Sequence, residues 1–325
     1  MHLANYAAVS SASGFLAEVA STLRHFGHAG VDIFFVISGV IIARQVQTAG
    51  SPIRFLLRRA ARVYPLFWVT LIALIAIPLY PGKSDTAIEP VALLLFTVPS
   101  QHPVAWTLVF ELHFYAVAGL CLLLGRLAPM ALLIWCAVMS VMVVIGWPNY
   151  LFISPLSLEF CIGILVGYAA PRVAIPWPRA FGLLGLTAIV IGGLLFDGER
   201  HATDQWWRLA VWGLPGGLLL WAALSFEAVG GRTPQLLWKA GDASYSIYMW
   251  HLPVAGAAWM IWRPVLGTWW GVSSYLIACV LGIAIVSWLS WRQFEQPINR
   301  WVSMATGLPP AAAMTEAPTA TPPRP

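Results

Sequence analysis

Apolar positions run along this chain in long blocks, punctuated by Pro, Gly and charged residues rather than alternating with polar ones. Nine windows stand out, at about 29–43, 65–81, 104–124, 130–146, 151–170, 180–196, 206–226, 243–262 and 272–290. Most approach the roughly 20 residues that a helix needs to cross about 30 Å of hydrocarbon. The pattern therefore predicts an all-α fold, a polytopic transmembrane helical bundle of about nine full spans plus a partial first helix. The partial helix is Met1–Val9, which is apolar but would rise only about 14 Å. Two outer segments, Asn5–His28 and Tyr80–Pro103, are long enough to shape a pocket. The second holds Pro81, Gly82, Pro90, Pro99 and Pro103, so it is no single regular helix, although Val91–Val98 can dip back toward the membrane. One membrane domain is expected over 1–306, followed by a disordered Pro/Ala/Thr-rich cytoplasmic tail over 307–325. No internal repeat is evident, which disfavours transporter folds built from two similar halves.

Composition sharpens this picture. The chain is 59% hydrophobic and 10% charged, with a mean hydropathy of +0.77. Soluble globular chains carry about 25% charged residues, so this one lacks the polar surface to stay in water. A net charge of +5 raises the question of a nucleic-acid partner. The basic residues are instead spread over many loops. With the Arg44–Arg62 loop cytoplasmic, Arg44, Arg54, Arg58, Arg59, Arg62, Arg126, Arg172, Arg179, Arg232, Lys239, Arg292 and Arg300 share that side. Only Arg24, Lys83, Arg200, Arg208 and Arg263 fall outside. That bias sets the orientation and leaves no nucleic-acid surface. Cys121, Cys136, Cys161 and Cys279 all sit inside apolar stretches without a CxxC pair and read as core residues.

Ionisable groups within spans are the sharpest chemical signal, since each costs about 2.5–3.5 kcal/mol at a helix centre. They are Asp32, Glu111 and His251, with Glu159 near an outer end. Each could simply brace a neighbouring helix. Asp32, just after Gly27 and Gly30, could also be a helix-entry residue accepting backbone N–H groups. Glu111 has Tyr115 one turn on and Trp106 about a turn and a half before it, while His251 shares a face with Tyr248 and Ser244. If helical, Arg54, Arg58 and Arg62 also share one face, with Arg59 beside Arg62. Such arginines serve as topology determinants, yet their paired N–H forks equally suit a polyphosphate-bearing donor. No GxGxxG, Walker loop, GxSxG elbow or HExxH motif occurs, which argues against nucleotide hydrolysis, a serine hydrolase and a zinc protease. No metal site is implied. Most of the 18 tryptophans read as anchors at the membrane interface.

Five segments then fall into a familiar order: HFGHAGVDIFFVISGVII, FLLRRAARVYPLFW, WTLVFELHFY, GDASYSIYMWHLP and FEQPINRW, spread from residue 25 to residue 301. Together they resemble the acyltransferase-3 family of integral membrane acyltransferases, and most of all its exopolysaccharide-acetylating branch. The resemblance implies transfer of an acyl group, acetyl first among them, from acyl-CoA to a hydroxyl of an exported polysaccharide or glycolipid. Acetyl-CoA is then a donor substrate, with no permanently bound cofactor, and the setting is a bacterial inner (plasma) membrane. It further implies that Arg58, Arg59 and Arg62 hold the CoA phosphates and that His2 is the general base. Glu111 or Asp32 would orient that histidine and stabilise its imidazolium, Tyr115 or Trp106 would donate to the oxyanion, and His251 is the second candidate base. The family's first of ten spans carries an Arg eleven positions before the histidine, a place that here precedes Met1. A start assigned at an internal methionine is expected, with an inactive truncated homologue as the alternative. The rival from another class is a transporter or flippase using the same buried charges.

Overall fold

A computed structural model describes residues 14–48, 50–77, 90–96, 102–147, 152–195, 204–231 and 234–306, and these are helical, with no strand among them. The Met1–Val9 stub and the 307–325 tail lie outside the described residues. The helices are α1 (Gly14–Thr48), α2 (Pro52–Ala76), α3 (Pro90–Leu95), α4 (Trp106–Leu122), α5 (Ala128–Val144), α6 (Pro155–Ala169) and α7 (Pro178–Leu194). They continue with α8 (Gln205–Ala228), which contains a π-helical turn at Leu209–Gly213. After it come α9 (Gln235–Asp242), α10 (Ser244–Trp262), α11 (Trp269–Ser290) and α12 (Gln296–Thr306), the last two joined by a second π-helical turn, Trp291–Glu295. Each apolar window read from the sequence is occupied by a helix. Among the described residues five stretches are long and apolar enough to cross a membrane on their own, Gly27–Thr48, Pro52–Ala76 and Trp269–Ala305 included.

Three boundaries differ from the sequence reading. The first described helix begins at Gly14, so Asp32 lies mid-helix and is no helix-entry residue. From Gly14 on, the Asn5–His28 segment, read as an outer segment, is continuous with this helix. The four arginines of the expected Arg44–Arg62 loop belong to α2 itself. That helix starts at Pro52 behind the extended Ser51, since proline has no N–H to lose in a first turn. Lastly, the 272–290 window extends to Thr306, because a polar, amphipathic continuation does not register as apolar. The short α3 occupies the stretch expected to dip; Phe96 at its end is buried, and Tyr64 donates to the Leu94 carbonyl at 2.6 Å.

Lipid tails are as apolar as leucine, so close packing rather than hydrophobic burial holds spans together. The tightest contact joins α1 to α6 and requires glycine on both sides. A Cβ on Gly163 would lie 2.0 Å from the Val36 carbonyl oxygen, and one on Gly39 would lie 2.2 Å from that of Phe160. Gly163 and Gly167 are four apart on α6, the spacing that lets two membrane helices touch backbone to backbone. Beside them Phe35, Phe114 and Phe160 fill the bundle centre, with Phe114 stacked on Phe160 at 3.6 Å. Outward faces carry bare Val141, Leu183 and Val280, each more than half exposed, as lipid contact demands. All four cysteines are buried and free, in keeping with a core role.

Candidate active site

A cavity of about 450 Å³ opens between α1, α2, α4 and α10. On α1 it is lined at Gly27, Gly30, Val31, Phe34, Ser38 and Ile41, a stripe at three-to-four residue spacing. From Gly27 to Ile41 that stripe rises about 21 Å, a large part of the hydrocarbon thickness. Ile41 marks the end nearest Arg59 and Arg62. Further along, Ser38 meets Glu111 and Phe34 stacks on Tyr248 (5.8 Å between ring centres), with His251 one turn beyond Tyr248.

Glu111 is buried, and its Oε1 accepts two hydrogen bonds, from Ser38 Oγ at 3.1 Å and from Tyr115 Oη at 2.9 Å. The second follows from helical spacing, because Tyr115 sits one turn on along α4. Arg59 is only 7% exposed; its Nε donates to Gln45 Oε1 at 2.9 Å, and its guanidinium lies 5.4 Å from the centre of the Tyr115 ring and 5.9 Å from that of Phe55. Arg62 stands on the cavity wall with Glu111, Asp242 and Glu295 within electrostatic reach. His251 Nδ1 pairs with the Tyr248 carbonyl. A carbonyl only accepts, so the Nδ1 carries the proton and a neutral ring has Nε2 as its basic nitrogen.

One space thus brings together Arg59, Arg62, Glu111, Tyr115 and His251. Arg58 is half-buried on a neighbouring face of α2, outside the lining. Trp106 does not line the cavity either; it packs edge-on against Phe35 and Phe110 at 6.1 and 6.0 Å. His2 lies outside the described residues. Asp32 belongs to a separate cluster, where both its oxygens accept from Arg208, at 3.2 Å from Nε and 2.9 Å from a terminal nitrogen. Glu159 is buried beside this pair, against Gly213 in the π-helical turn of α8. Arg208 is therefore a buried brace between α1 and α8, correcting its placement in an outer loop.

The sequence reading assigned no role to Ser38, Gln45, Arg208 or Glu295. Arg208 had a signal: an intramembrane Asp needs a cation, and Arg208 interrupts the apolar start of its window. Glu295 accepts from Ser246 Oγ, which ties the FEQPINRW segment to GDASYSIYMWHLP within the bundle. Gln45 carried no signal separate from its neighbours.

The model of the acyltransferase domain family matches residues 1–290. The chain belongs to the acyltransferase-3 family. As a member it is a membrane-embedded acyltransferase, and the resemblance carried by the five segments is borne out. Among curated relatives, the exopolysaccharide production protein ExoZ of Rhizobium meliloti is 31% identical over 308 residues, covering 86% of this chain and 92% of its own. The putative membrane-bound transacylase BcsY of Komagataeibacter xylinus is 25% identical, over 81% of this chain and 75% of its own. Acyltransferase MdmB of Streptomyces mycarofaciens is 26% identical, over 83% of this chain and 81% of its own. No solved structure matches.

Proposed function

We propose that this enzyme transfers an acyl group, acetyl in the simplest case, from acyl-CoA to a hydroxyl of an exported polysaccharide or lipid-linked glycan. The observation that supports it best is the elongated cavity, with cationic Arg59 and Arg62 toward one end and His251 toward the other. Such a space can admit a cytoplasmic donor and an outer acceptor from opposite sides of one membrane. The name of the exopolysaccharide-production relative points to the same acceptor class. In this reading the protein sits in the plasma membrane with the α1–α2 connection and the C-terminal end cytoplasmic.

Arg58 and Arg62 hold the donor phosphates through paired N–H groups. Arg59, drawn inward and fixed by Gln45, faces the thioester end. His2, by its match to the family histidine, takes the proton of the acceptor hydroxyl, with His251 as the second base. The hydroxyl oxygen attacks the thioester carbonyl carbon, the C–O bond forms and the C–S bond breaks. The base then returns its proton to the departing thiolate, so the products are an ester and free CoA thiol. Glu111 stabilises the transient imidazolium, and Tyr115, beside Arg59, donates to the oxyanion by turning its one O–H from Glu111 to the carbonyl oxygen.

Membrane vesicles from cells that make the polysaccharide, supplied with acetyl-CoA labelled in the acetyl group, test this directly. Label is expected in the carbohydrate fraction when the wild-type protein is present and at background without it. Label remaining in acetyl-CoA under both conditions would overturn the reading.

A further inference from the structure

A second, smaller cavity of about 190 Å³ adjoins the first between α2 and α4. Arg59, Val63, Glu111 and Tyr115 stand in the wall common to both. Beyond that wall the lining is apolar: Leu56, Ala60, Phe96, Leu108 and Leu112. Tyr64 also borders it, but its hydroxyl is already committed to the Leu94 carbonyl. All the polarity of this side cavity is therefore on one edge, where a guanidinium, a carboxylate and a phenol meet.

An apolar recess with a polar rim suits a molecule with a carbonyl at its end and a hydrocarbon tail behind it. We propose that the side cavity receives the acyl group of the donor and that its depth, set by Ala60 and Leu112, determines which acyl chain lengths are transferred. The inference rests on the acyl-CoA reading above and deepens it. Two features fit this occupant. Arg59, Glu111 and Tyr115 border both cavities, so the proposed route takes a thioester past Arg62 with its carbonyl beside Arg59 and Tyr115 and its tail between these side chains into the recess. The size also exceeds what acetyl needs. A water molecule requires only about 10–15 Å³ of such space, so 190 Å³ accommodates a chain of several carbons.

The test compares acetyl-CoA with hexanoyl-CoA, both labelled in the acyl group, on the same vesicles and reads the ratio of the two transfer rates. Ala60→Leu fills the recess from α2, and Leu112→Ala deepens it from α4. A single methylene in an apolar pocket discriminates about 10–200-fold. Wild type is expected to transfer both groups, Ala60→Leu to lower the hexanoyl-to-acetyl ratio at least about tenfold, and Leu112→Ala to raise it. Opposite shifts cannot arise from poor folding, which would depress both rates alike. A ratio unmoved by either variant, or equal loss of both activities, assigns the recess to packing or to the acceptor's lipid and overturns the inference while leaving the donor reading intact. A wild type that transfers acetyl and no hexanoyl overturns it too. No transfer from either donor would overturn the acyl-CoA reading, and this inference with it.

Discussion

At the scale of single residues, Glu111 is the centre of the site. It is buried, accepts from Ser38 and Tyr115, and lies on the wall shared by both cavities. Glu111→Gln keeps the shape and much of the hydrogen bonding but removes the negative charge. If that charge supports a cationic histidine during transfer, turnover is expected to fall by about 10²–10⁴-fold, the usual worth of general acid–base assistance. The measurement is the acetyl content of polysaccharide from cells holding equal amounts of wild-type and variant protein. A well-expressed variant with full acetylation would remove Glu111 from the mechanism. The sequence made Glu111, Tyr115 and His251 legible, because an ionisable group inside an apolar window is costly and a neighbour one turn away shares its face. It did not separate Asp32 from them. Asp32 looks equally costly along the chain, and only the fold reveals that Arg208 takes both its oxygens.

At the scale of helices, hydropathy located each span but misjudged ends. Arginines at a helix end reach back to the interface along flexible stems, so charge closes an apolar window before the helix itself stops or after it has begun. That is why Arg54 to Arg62 read as a loop, and why α12 was not anticipated after the window at 272–290. The pairing of helices was less visible still. The four-residue spacing of Gly163 and Gly167 does not say which helix approaches, and Gly39 supplies the answer only in three dimensions. Gly163→Ala would drive one carbon against the Val36 carbonyl, a backbone atom that cannot swing aside. Overpacking costs about 1–3 kcal/mol even in cores that adjust. Thermal unfolding of the detergent-solubilised protein should begin several degrees lower for Gly163→Ala. At Gly182 an added Cβ meets only Ala222, at an ordinary 3.6 Å. Gly182→Ala should accordingly match the wild type, and equal behaviour of the two variants would mean that the α1–α6 contact is looser than described.

At the scale of the whole molecule, the arginines of α2 carry two separable tasks. Topology depends on charge, whereas phosphate recognition depends on the guanidinium fork. Replacing Arg58 and Arg62 together by Lys should therefore leave a C-terminal reporter on its original side of the membrane while weakening acyl-CoA binding. The two readouts are reporter accessibility in intact cells and donor concentration at half-maximal transfer. Unchanged donor dependence would reduce these arginines to topology signals. The Asp32–Arg208 brace has a different consequence, one of timing. The partners are 176 residues apart in the chain, and ribosomes add roughly 5–20 residues each second. For roughly 10–35 s of each synthesis, α1 therefore stands in or near the bilayer with a carboxylate whose cation has not yet been made. A newborn chain of this kind has to keep its first helix beside water or a sheltering protein until α8 emerges, so the order of translation becomes part of how the bundle is assembled.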